Sequence, residues 1–188
     1  YTRMPRQQRS AQELDQAILA MFAAWESCRE LLRDVAVASD SSSTPLNNYI
    51  SQILFLSDLR DQAGRVASSI MAHVTFEAPL PTENITRSLQ TQHQVRYLWA
   101  LIDTIQPVQD KTEEFIRLHR RVETEFIQQG LPIVSELISD SLEQRDYRLS
   151  GTELTEAIVD KFATVVDLQT YLLQYSRDAA IQEMNSNM

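Results

Sequence analysis

Turn formers are scarce in this chain: Gly 3 and Pro 6 in 188 residues. A β-rich fold needs glycine at frequent turns, so the scarcity excludes many short strands and predicts a few long helices. The one cysteine, Cys28, excludes an intramolecular disulfide and an all-cysteine metal site. Its place beside Trp25 in a helical pattern predicts a small core or interface residue. No stretch reaches the ~18–20 apolar residues that cross a bilayer, and no signal-peptide pattern is present. Lysine-rich tracts are missing too. A net charge of -9 and a pI of about 4.8 speak against nucleic-acid binding through a basic face.

Recognisable catalytic patterns are equally absent. The histidines are His73, His93 and His119, none with another four residues on, and no HExxH-type spacing occurs. There is no GxSxG elbow, and Gly64 and Gly151 are isolated, so no phosphate loop is formed. The expectation is a non-enzymatic chain with no cofactor and no metal.

What is present is periodic. The hydrophobic fraction of 43% and charged fraction of 23% are those of a folded domain. A first helix is expected over about 11–38, opened by a Ser10/Glu13 capping box, with Leu14, Ile18, Met21, Phe22, Trp25, Leu32 and Val35 on its core face. After the polar DSSST breaker, Thr44-Pro45 opens a second helix running to about Phe76, ended by Pro79 and Pro81. A third helix spans about 83–105, with Ile85, Leu89, Val95, Trp99 and Ile102 inward, up to Pro107. A fourth starts near Asp110, and Gly130-Leu131-Pro132 predicts a kink or a one-turn break in it. Ser150 with Glu153 caps the last helix, whose face includes Leu154, Ile158, Phe162, Val165, Leu168 and Leu172. The expected fold is all-α, a single-domain up-down bundle of long antiparallel helices.

The run Leu56–Val74 carries the functional question. Leu56, Arg60, Ala63, Ala67, Ile70 and Val74 recur at helical spacing, which places Arg60 on an otherwise apolar stripe. A guanidinium buried there needs an anionic partner. Either that partner is internal (Asp15, Asp103, Glu125 or Asp167), or it is a small anion or carboxylate held by the planar fork. Ala63, Gly64, Ala67 and Ser68 are small and permit close approach. Arg65 either pairs with Asp61 on the surface or joins Arg60. Gln92 and Arg96 lie one turn apart beside Trp99, and they line either an interhelical pocket or a wet helix edge with Trp99 in the core. The candidate ligand-binding residues are therefore Arg60, Arg65, Gln92, Arg96 and Trp99.

The block L-x-x-L-R-D-x-A-G-R-x-A-S at Leu56–Ser68 resembles the arginine-containing helical block of nitrate- and nitrite-sensing extracytoplasmic domains of bacterial transmembrane receptors. More loosely, the chain resembles helical bimodular chemoreceptor sensors. The resemblance implies that Arg60 and Arg65 bind a small anion. It also implies a homodimer in the periplasm, flanked by membrane helices outside this chain, with output through a chemoreceptor, histidine kinase or cyclic-dinucleotide enzyme. The start at Tyr1 without methionine and the Arg3, Arg6 and Arg9 cluster accord with a piece excised from between such helices. The competing expectation is a cytosolic helical scaffold or adaptor with no small-molecule ligand.

Overall fold

The computed structural model describes residues 6–38, 44–102 and 111–187; side chains at 32 and 35–49 are not described. Every regular element among them is a helix: α1 (Arg6–Ala38), α2 (Thr44–Arg65), α3 (Ser68–Thr75), α4 (Thr82–Ala100), α5 (Glu113–Arg121), a π-helical stretch (Val122–Gly130), α6 (Leu131–Leu142) and α7 (Gly151–Ser186). The protein is an all-α helical bundle.

Local chemistry sets the boundaries. Ser150 and Glu153 form the expected capping box, each side chain accepting from the other's backbone N–H at 3.1 Å. Thr112 caps α5 by accepting from the Phe115 N–H. Asp110, expected to start this helix, lies outside the described residues, as do Pro107 and Asp103. Ser10 caps nothing: α1 already runs from Arg6, so Ser10 sits inside its second turn. The expected second helix is split by a turn at Val66–Ala67 into α2 and α3.

At Gly130-Leu131-Pro132 the helix neither stops nor restarts. It widens over Val122–Gly130 and continues as α6. Proline lacks an N–H, and its ring presses on the carbonyl four residues back, so wider preceding turns admit Pro132 without a break.

Both α3 and α6 end on left-handed residues that are not glycine, Glu77 (φ 52) and Gln144 (φ 56). Each is closed by a backbone bond back over the last turn, Ala78 N–H to His73 O and Arg145 N–H to Asp140 O, both 2.8 Å. Asp140 then anchors the connection into α7. It accepts from the Arg148 backbone N–H at 3.1 Å and from the Arg148 guanidinium at 2.8 and 2.9 Å. These bonds hold its carboxyl down at about 2, against an ordinary 3.8.

One apolar core runs through α2, α3, α4, α5, the π segment, α6 and α7, built on Leu56, Ile70, Phe115, Phe126, Leu137 and Leu168. Tight contact needs glycine at one point: a Cβ at Gly151 would lie 2.3 Å from Thr75 Oγ1 and 3.0 Å from Thr75 Cα. No described side chain of α1 joins that core. α1 instead meets a small satellite cluster through Ala11 and Leu14, against Ala72, Phe76 and Ala78. Leu89 on α4, expected inward, is 54% exposed; on α1, Met21 and Trp25, also expected inward, are 62% and 47% exposed, and Cys28 is exposed as well. Asp15, Phe22, Glu26 and Arg29 take the inner face, which is why Met21 and Trp25 turn outward.

Candidate functional site

Arg60 is exposed, not buried on the stripe. Leu59 and Val66 join Leu56 and Ala63 in the core. At about 100° per residue they pull the centre of the buried face some 80° away from Arg60. Its guanidinium lies at the edge of α2, against α7, and donates to Gln169 Oε1 at 3.2 Å. Among the described residues no carboxylate pairs with it, so the internal ion pair to Asp15, Glu125 or Asp167 is not formed. Asp15 pairs with Arg87, and Glu125 and Asp167 both lie beside Arg121.

The cleft facing Arg60 measures about 360 Å³ and is lined by Gln169, Thr170, Leu173, Gln174 and Arg177. It holds two guanidinium groups, two amides and a hydroxyl, with no carboxylate in its lining. Among the described residues Arg177 has one charged partner, the neighbouring exposed Asp178, at 3.4 Å. Such a set of donors suits a small anion or carboxylate, which a guanidinium fork grips through paired N–H bonds. Gln169 and Arg177 escaped the sequence reading. Their signal was that α7 carries Lys161 and Arg177 as its only basic residues, with Gln169 and Gln174 as the amides between them.

The remaining candidates do not gather around Arg60. Arg65, five residues on, is turned about 140° away. It pairs with Asp61 at 3.0 Å and with Glu26 of α1 at 2.8 Å, and its guanidinium covers the Phe22 ring. The expected Asp61–Arg65 pair is thus present, but the Arg65 and Asp61 side chains are only 13% and 9% exposed, so it lies under α1 and not on the surface. Gln92 is buried and bonded to Ser88 and Ser135. Trp99 is a core residue that donates to Glu123 and stacks on His119. Arg96 is exposed on α4. The small stripe admits no guest at Gly64, because the Phe162 ring lies there.

A second polar constellation lies under α1. Asp15 accepts from Arg87 at 2.8 Å and from Asn84 at 3.1 Å, and Asn84 also donates to Ser69 O. His73, 3% exposed, sits in the same wall of a cavity of about 380 Å³. Burial lowers the His73 pKa below 6.5, and Arg87 pushes the same way against the opposing pull of Asp15. Here the charges are matched already, so the cluster reads as the attachment of α1. His93 is exposed, and no group able to hold a metal ion occurs among the described residues.

Comparisons with protein-family models, curated proteins and solved structures return no match. No described helix is long and apolar enough to cross a membrane.

Proposed function

We propose that this chain is the extracytoplasmic ligand-sensing domain of a bacterial transmembrane receptor, taking a small anion or carboxylate between α2 and α7. What carries the reading is Arg60: a guanidinium with an amide but no described carboxylate partner, sharing a cleft with Arg177, in a chain of net charge -9. The resemblance of the Leu56–Ser68 block supports the same assignment. In this reading Arg60 and Arg177 grip the ligand, and Gln169 and Gln174 satisfy its remaining lone pairs. Arg65, Gln92, Arg96 and Trp99 are left out of the site.

The ligand would act by drawing α7 along α2. Binding shifts such an equilibrium only by its differential affinity for the two helix arrangements. Output, through whichever receptor or enzyme module follows, would be carried by α7 and by membrane helices outside this chain. The chain itself would bind and transmit rather than catalyse.

A thermal-shift screen of nitrate, nitrite and short carboxylates against wild type, Arg60→Ala and Arg177→Ala tests this. A ligand at about 100 times its Kd adds roughly 2.7 kcal/mol of stability, a clear rise in Tm. The rise is expected in wild type and lost in both variants. If no anion moves the wild type, the sensing assignment falls and the scaffold reading takes its place.

A further inference from the structure

His73 is a buried titratable group that neither the core nor the attachment of α1 uses. It is 3% exposed, and its Nδ1 is buried with no hydrogen-bond partner among the described residues. A buried ring nitrogen in that state costs free energy until an occupant bonds it. The imidazole helps to wall the cavity of about 380 Å³ enclosed by α1, α3 and α4. That volume lies in the range of small-molecule sites and far exceeds what one water needs.

The wall is one cation short. The Asp15–Arg87 pair is matched, but Glu83 stands beside it and has only the same guanidinium to turn to, at 3.4 Å. Two carboxylates therefore face one guanidinium, a net charge of -1 among the described lining residues. His73 does not make up the difference. Burial lowers its pKa, with Arg87 pushing the same way against Asp15, so the ring is neutral at neutral pH. Free acceptors are at hand. Asn84 and Arg87 both bond Asp15 through Oδ2, which leaves Oδ1 to accept. Gln8, Gln12 and Gln16 repeat at steps of four along the side of α1 that faces the cavity and bring amide carbonyls to it.

We propose that this cavity binds a small organic primary ammonium. An –NH3+ head has three donors and no acceptor, which suits Asp15 Oδ1, the His73 ring and a glutamine carbonyl together. Its charge brings the wall to neutrality, and its carbon part lies against Leu19, Pro79 and Pro81. A bare metal ion is not what this wall is built for, since no described group of side chains could hold one. The net charge of -9 draws cations to the protein, and Glu83, 81% exposed, stands where they would enter. The site uses neither Arg60 nor Arg177, so it stands or falls independently of the anion cleft on α2 and α7.

Calorimetric titration of the whole chain with butylammonium chloride at neutral pH tests this. Butanol, which lacks the charge, and potassium chloride, which lacks the N–H donors, are the controls. Saturable binding at one site is expected for butylammonium alone. The imidazole nitrogen resonances of His73 should shift on binding, while those of the exposed His93 stay in place. Gln12→Lys, at an exposed position of α1, sets an ammonium of the chain's own in the cavity. It should weaken butylammonium about tenfold or more, with helix content by circular dichroism unchanged. Gln182→Lys, the same charge change near the end of α7, and Arg60→Ala should both bind like wild type. A wild type that takes up no butylammonium, or binds butanol or potassium as tightly, would overturn the proposal. So would binding that leaves His73 unmoved, a Gln12→Lys that binds like wild type, or equal weakening in Gln182→Lys, which would reduce the effect to overall charge.

Discussion

The two sides of α2 are held by different forces. Toward α7 it presents Leu56, Leu59 and Ala63 to one continuous apolar core. Toward α1 it presents Asp58 and Arg65, which pair with Arg29 and Glu26, and Phe22 adds its ring under Arg65. Burial of apolar area is non-directional and is not weakened by ionic screening, whereas partly exposed ion pairs are worth little and are screened. The bundle of α2 to α7 is therefore the fold, and α1 is an attached strap held by ion pairs together with the small apolar cluster at Ala11 and Leu14.

The largest effects fall on the core side. Ile70→Ala and Leu168→Ala remove side chains that are 0% and 1% exposed, and each should lower unfolding free energy by ~2–5 kcal/mol in a denaturant titration. Phe162→Ala should cost less, since its ring is only half-buried. Gly151→Ala comes next. Its methyl would meet the Thr75 backbone, so the start of α7 must shift, at a cost of ~1–3 kcal/mol, and Thr75→Ala should recover only part of it.

On the strap side the losses are smaller and local. Asp15→Ala removes the acceptor that Arg87 and Asn84 share, leaving them Glu83 and Ser69 O, at a cost of about 1–3 kcal/mol. Hydrogen exchange should show the amides of α1 released while those of α7 stay protected; equal loosening of both helices would erase the contrast.

Acid should separate the two regions further. Because burial lowers the His73 pKa, the unfolded chain binds more protons than the folded one below pH 6.5, and stability falls as pH drops from there through the lowered folded value. His73→Gln should flatten that slope. Asp140 acts lower: its contribution is whole above 3.8 and lost only as pH falls toward about 2. The smallest effect belongs to Arg60→Ala. With no described carboxylate partner to strand, stability should stay within ~0.5 kcal/mol of wild type. A loss of several kcal/mol would mean that Arg60 is structural.

Much of the architecture was legible. Few glycines, long 3.6-residue periods and the Ser150/Glu153 box were enough to place α7 and to give Leu154, Val165, Leu168 and Leu172 as core. Reading failed where one helix carries two apolar stripes. On α1 the hydrophobic residues span more than half the circumference, and no local rule says which stripe faces the bundle. Arg60 failed for a related cause, since spacing from Leu56 alone cannot reveal that Leu59 and Val66 rotate the face.

Sequence by itself determined the all-helical architecture, the Ser150/Glu153 cap and most of the main core, because hydrogen bonding within a turn and the burial of periodic side chains are properties of neighbouring residues. Only the tertiary structure decided that Arg60 meets Gln169 and shares a cleft with Arg177, that Arg65 turns to Glu26, and that Met21 and Leu31 stand outside. Each of these depends on the rotation of one helix against another, which is set by the best packing of the whole bundle and not by any segment of it.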